Sequence, residues 1–144
     1  MKCGITTLLL VSLLSACASK VSRIQRAKPQ LKGVAVWMSQ YAEQNEGRFP
    51  ANLDELARFA PPEYRTSCLY FVDGSHGYAS PWAYFPPPAS DTEKTTPLVV
   101  LPFSETTSDG NQRRAALLRN MEVAVIDERE FQELAKRIKP MRSE

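Results

Sequence analysis

Cys68, Asp73 and His76 lie within nine residues of one another and are the side chains best suited to chemistry in this chain. Brought together across a hairpin, Cys68 and His76 would make a thiol–imidazole pair, in which the base activates a thiolate. Asp73 would add a third group and the beginnings of a metal site. Zinc asks for four ligands, or three and a water. The 144-residue chain has one His and three Cys, so it supplies no second ligand pair. A buried free thiol beside a turn histidine is the commoner use of such residues. No metal, cofactor or catalytic residue is expected.

Two further groups of residues invite a functional reading. Tyr70, Phe71, Tyr78, Trp82, Tyr84 and Phe85 place six aromatics within sixteen residues. Tyr78, Trp82 and Tyr84 are the candidate ligand contacts, a stacking platform for a glycan or peptidoglycan. The competing use is core filling, because aromatics dominate the cores of small domains. Glu122, Asp127, Glu128 and Glu130 could be read as carboxylates for acid–base work, but helix capping and solvation account for them more simply.

The elements that must carry these residues follow from periodicity. Leu31, Val34, Ala35, Met38, Tyr41 and Ala42 share one helical face, which predicts a helix over residues 29–44 with Pro29 in its first turn. Asn45-Glu46-Gly47 stops it, with Gly47 as the left-handed residue. Asn52 and Glu55 have capping-box spacing for a short second helix, with Leu53, Leu56, Ala57 and Phe59 on its apolar side, closed by Pro61-Pro62. Residues 68–72 read as a short strand, and Asp73-Gly74-Ser75-His76-Gly77 as a turn. Residues 78–85 are aromatic but interrupted by Pro81, hence irregular or an edge strand. Residues 98–103 are the clearest strand, and 104–112 a loop. Residues 113–118 and 122–126 read as two strands around Arg119-Asn120-Met121, with Asn120 as the turn residue. Asp127 and Glu130 cap a last helix whose apolar face is Phe131, Leu134, Ala135 and Ile138, stopped by Pro140. Helices first and antiparallel strands later give an α+β class.

The first residues give an address. Lys2 precedes an apolar run over residues 4–14, too short for the roughly 20 residues of a membrane span. Leu14-Ser15-Ala16-Cys17 then resembles the bacterial lipobox. That resemblance implies a signal peptide over residues 1–16, cleavage after Ala16, and lipid attachment (diacylglyceryl and an amide-linked acyl chain such as palmitate) at Cys17. Two or three chains hold a protein on a membrane where one holds it only reversibly. Ala18, rather than Asp, follows the lipidated Cys. In familiar Gram-negative lipoproteins this implies the outer membrane, facing the periplasm. Cleavage also removes Cys3, so Cys68 is left without an intramolecular disulfide partner. The mature chain carries 17 Lys+Arg against 16 Asp+Glu. That balance excludes the basic excess of a nucleic-acid binder. Residues 17–28 hold Lys20, Arg23, Arg26 and Lys28 without an acid and read as a basic tether, solvated or resting on anionic head groups.

A second resemblance covers about residues 31–138. The run Met38-Ser-Gln-Tyr-Ala-Glu-Gln-Asn-Glu-Gly-Arg-Phe-Pro50, followed by Asn52-Leu-Asp-Glu-Leu56, is similar to the globular head of type II secretion pseudopilins. In that family a Tyr-rich helix end, a Gly-Arg-Tyr/Phe-Pro turn and a Leu-x-x-Leu helix follow one another. Cys68, the Ser80-Pro81-Trp82 and Tyr84 segment, and residues 121–127 before Phe131 and Leu134 are similar to later pieces of prepilin-type proteins. The chain departs from the family in its N-terminus, which has no Phe-Thr-Leu-Ile-Glu opening a long apolar helix. Asp73, Asp91 and Asp109 do not make the family's calcium loop, and Asn120-Met121-Glu122 replaces its Asp-Gly-His tip.

Together these readings predict one domain over residues 29–144. A spine helix should pack on an antiparallel sheet of three or four strands, with a short second helix and a C-terminal helix. The implied role is non-enzymatic: a membrane-anchored envelope lipoprotein with a pseudopilin-like head that contacts an envelope or secretion-system protein. The alternative is a ligand- or glycan-binding lipoprotein that uses the aromatic segment 70–85.

Overall fold

The computed structural model describes residues 21–74, 77–88 and 92–137. The expected signal peptide (residues 1–16), Cys17, the start of the expected tether, His76, Asp91, Ile138 and Pro140 lie outside them. Helix α1 (Arg23–Gln44) is the spine. It begins six residues before the expected Pro29, so residues 23–28 are helix rather than tether. Ile24 and Ala27 are the reason, because they extend the buried face of Leu31, Val34, Ala35, Met38 and Tyr41 by two turns. The Ser22 hydroxyl caps the new start by accepting from the Gln25 N–H at 3.1 Å. A Glu105 carboxylate oxygen, 81 residues away, accepts from the Ile24 N–H at 3.0 Å. A carboxylate at a helix N-terminus also meets the positive end of the macrodipole, which stabilises by about 0.3–1 kcal/mol. Pro29 therefore lies inside the helix. It removes the donor to the Gln25 carbonyl, but Pro29 and Gln25 are both on the exposed side, where water can serve that carbonyl.

The end of α1 is a Schellman turn. The Gly47 N–H donates back to the Ala42 carbonyl at 2.8 Å. Gly47 is left-handed as expected (φ 79°), but Glu46 before it is left-handed too (φ 57°). Phe49-Pro50 then turns the chain into α2 (Leu53–Phe59), where the Asn52 side chain accepts from the Glu55 N–H at 2.9 Å. A single 3-10 turn (Pro62–Tyr64) and the five-residue α3 (Arg65–Leu69) follow. Cys68 thus sits on a helix rather than on the expected strand.

Strands β1 (Tyr70–Asp73) and β2 (Tyr78–Pro81) form a separate antiparallel hairpin. The main sheet contains β3 (Ala83–Tyr84), β4 (Pro97–Val100), β5 (Glu105–Thr106), β6 (Gln112–Leu118) and β7 (Val123–Asp127), all antiparallel. Strands β4 and β5 lie end to end along the same side of β6, pairing with residues 116–118 and 112–113, while β7 takes the other side. The sheet thus has five strands but is four wide, where the pattern predicts three or four. The expected loop 104–112 includes β5, which Glu105 joins through its bond to α1. The β6–β7 turn puts its left-handed residue at Met121 (φ 67°) rather than Asn120. Asn120 instead brackets Glu122, accepting from its N–H at 3.1 Å and donating to its carboxylate at 2.7 Å.

Both faces of the centre of the sheet are covered. Val99, Leu101, Ala115 and Leu117 join the α1 face with Leu56, Cys68 and Phe71 in one cluster. Val100, Ala116, Ile126 and Phe85 form a second, under Phe131 and Leu134 of α4 (Glu128–Arg137). Hence residues 98–101 and 115–117 read as unbroken apolar runs rather than alternating ones.

The turn after α1 yields a paired prediction. A Cβ at Gly47 would meet nothing within 4 Å, so Gly47→Ala should cost about 1 kcal/mol through backbone strain alone. Glu46→Gly should raise stability by about 0.5 kcal/mol, because the exposed Arg48 ion pair that it loses contributes little. Urea unfolding of both variants checks this; equal losses would refute the strain at Glu46.

Candidate functional site

The aromatic segment does not form one open face. Phe71 and Trp82 are buried and meet edge to face at 5.7 Å. The Trp82 Nε1–H donates to the Ser67 carbonyl at 3.1 Å, tying α3 to the link between β2 and β3. The Tyr84 hydroxyl donates to the Pro50 carbonyl at 2.6 Å, and burial pushes that phenol's pKa upward. Tyr78 is half-buried on β2, with the Arg23 guanidinium 5.9 Å from its ring centre. The platform expected of Tyr78, Trp82 and Tyr84 is thus divided between core and hairpin, because the polar atoms of Trp82 and Tyr84 are taken up by backbone carbonyls.

Cys68 and Asp73 are both fully buried, but in different settings. Burial among apolar side chains pushes the Cys68 thiol up to about 11, which keeps it protonated and unreactive near neutral pH. Asp73 faces α1, where its Oδ2 is 3.4 Å from Arg26 Nη2 and 3.9 Å from Arg23 Nε. These contacts latch the β1–β2 hairpin onto the first turns of α1, and the Gln30 carboxamide continues the latch. It accepts from the Val72 N–H and donates to the Val72 carbonyl, both at 2.9 Å, as a neighbouring strand would. Among the described residues no three His, Cys, Asp or Glu side chains converge as a metal site.

The acidic residues near the C-terminus serve the fold. Asp127, at the expected N-cap position of α4, lies 3.3 Å from Arg113 Nε. Glu128 grips the buried Arg114 with both oxygens, at 2.6 and 2.9 Å, and this bond holds its carboxyl below the ordinary range. Arg114 also donates to the Leu101 carbonyl at 3.1 Å and lies 3.7 Å from the centre of the Phe131 ring. Glu122 belongs to the β6–β7 turn, and Glu130 is exposed.

The two ends of α1 carry the other polar clusters. At the C-terminal end of α1, Tyr41 donates to Glu55, whose other oxygen accepts from the Ala51 N–H at 2.8 Å. The Tyr41 bond, then the Ala51 N–H, lowers the Glu55 pKa, and the same Tyr41–Glu55 bond raises that of Tyr41. A shallow depression between Tyr41, Glu46, Arg48, Phe49 and Glu55 marks this pole. The Arg119 guanidinium, 5.8 Å from the Phe49 ring centre, brings the β6–β7 turn beside it. At the opposite pole Ser22, Gln25 and Lys28 stand beside Thr106, Ser108 and Val125. There Asp109 accepts from Thr107, Asn111 and Arg113, and those bonds pull its carboxyl down to about 2. The sequence missed Glu105, Arg114 and Gln30. Arg114 stands between Arg113 and the apolar run Ala115 to Leu118, and nothing in that pattern shows that its charge is buried.

No protein family, curated protein or solved structure matches the chain. Among the described residues, no helix is long and apolar enough to cross a membrane.

Removing Glu128 leaves a buried guanidinium without its counter-charge, whereas removing Arg114 leaves a carboxylate still bonded to Gln132 and partly solvated. Glu128→Ala should therefore cost about 3 kcal/mol, and Arg114→Met about half of that. Denaturant unfolding gives the ranking, and the reverse order would disprove it. Asp109 should titrate near 2 by carboxyl NMR rather than near the ordinary ~4. Its stabilising contribution is present above about pH 4 and is lost as pH falls toward 2; a midpoint near 4 would contradict the bonds drawn to it.

Proposed function

We propose that this chain is a lipid-anchored envelope lipoprotein whose folded domain acts by contact rather than by catalysis, with a head of the pseudopilin kind. The observation that carries the anchoring is the lipobox-like Leu14-Ser15-Ala16-Cys17 behind Lys2 and a short apolar run. Lipid on Cys17 would hold the domain on a membrane, the outer membrane by the rule for Ala18, on its periplasmic side. The reading of the head rests on the order of its parts. A long helix stops at a left-handed turn, Phe49-Pro50 reverses the chain into a capped helix, and the spine packs on an antiparallel sheet.

The chemistry of the candidate groups favours contact as well. The Cys68 thiol is held protonated, and Glu128 is occupied by the ion pair that fastens α4. The partner would be an envelope or secretion-system protein, met by the pole at Glu46–Arg48 and the β6–β7 turn.

Cys17→Ala should move the protein from the membrane to the soluble fraction of the cell. A variant that stays wholly with the membrane would overturn the anchoring. Crosslinking from Arg48 in intact cells should capture one envelope protein in the anchored form; recovery of the domain alone would count against the contact role.

A further inference from the structure

The distance between the anchor and the folded domain is set by where α1 starts. A tether over residues 17–28 would let the domain turn freely at tens of ångströms from the bilayer. Instead, Ser22 is already the cap of α1, its hydroxyl bound to the Gln25 N–H, and Ile24 is bound to Glu105 and buried. Five residue steps separate Cys17 from Ser22. Fully extended, they span at most about 17 Å. The 22-residue helix beyond is about 33 Å long. The tether is thus about half as long as the spine that it carries, and the domain cannot present its far end to the membrane.

We infer that the domain docks pole-down on the bilayer, with Ser22, Gln25 and Lys28 of α1 and Thr106 to Ser108 of the adjoining turn as the surface that meets lipid head groups. The side chains fit that place. Val21 is exposed and apolar, Lys28 is basic, and the exposed Thr106 and Ser108 offer hydroxyls to phosphates, while the Thr107 hydroxyl is taken up by Asp109. Glu105, the acid among them, is occupied at the Ile24 N–H, and Asp109 is neutralised by Arg113. The far pole, with Glu46, Arg48 and the β6–β7 turn, then projects away from the membrane. This inference rests on the lipid-anchor reading above.

The test compares two labels on one helix. Gln25 and Gln44 are both exposed and stand about 28 Å apart along α1. Cysteines introduced by Gln25→Cys and Gln44→Cys can be labelled selectively, because Cys17 carries lipid and Cys68 is buried. The lipidated protein is placed on phosphatidylethanolamine–phosphatidylglycerol vesicles bearing a head-group acceptor dye. Energy transfer from position 25 should be severalfold above that from position 44. Equal or reversed transfer on bound protein would overturn the orientation while leaving the anchor intact. Binding by the Cys17→Ala form of the labelled protein would instead overturn the anchor. A flexible Gly/Ser insertion between Lys20 and Val21 should abolish the difference. If the difference persists, tether length does not set the orientation, and the inference fails.

Discussion

Two-sided burial of β4 and β6 is the constraint on which the other elements depend. Residues 98–101 and 115–117 are fully removed from water, so each face of the sheet needs a cover. On one side α1 supplies it with seven buried residues over its length. Such burial contributes about 1.5–3 kcal/mol for each large side chain and holds a helix that has a proline inside it. On the other side α4 has only ten residues, none of them fully buried. Phe131 and Leu134 cover the second cluster partially, and the Arg114–Glu128 pair completes the attachment. A buried ion pair adds little net stability, but it tolerates few alternative positions of its partners. The charge inside the sheet therefore sets where α4 lies.

The spine is also fixed along its length by polar bonds to residues far away in the chain. Glu105 holds its first turn, Asp73 and Gln30 join it to the β1–β2 hairpin, and Tyr41 bonds to Glu55 of α2. Tyr84 of the sheet reaches the Pro50 carbonyl in the loop between α1 and α2. The apolar face supplies most of the energy, and these bonds select one rotation and one axial position of the helix.

What the sequence revealed and what it hid follow the same division between local and distant causes. The α1 stop at Gly47, the Asn52 cap and the β6–β7 hairpin are decided by neighbours in the chain, and all were readable. The start of α1 was not, because a proline normally marks a first turn and the stabilising Glu105 lies 81 positions away. Cys68 was assigned to a strand because its apolar and aromatic neighbours have β propensity. Packing of α3 against α1 and α2 overrides that preference. The placement of Tyr78, Trp82 and Tyr84 was hidden for a similar reason. Composition shows how many aromatics are present, but their direction depends on acceptors such as the Ser67 and Pro50 carbonyls, which appear only when the chain is folded.

The Gln30 carboxamide has one more consequence. By occupying both the N–H and the carbonyl of Val72, it closes the outer edge of β1 where another strand would otherwise pair. The exposed Tyr70 and Val72 side chains on that strand are the sort that favour strand-to-strand aggregation. One amide on the spine thus guards a sticky strand, doing for this hairpin what a charged residue or a proline does on other exposed sheet edges.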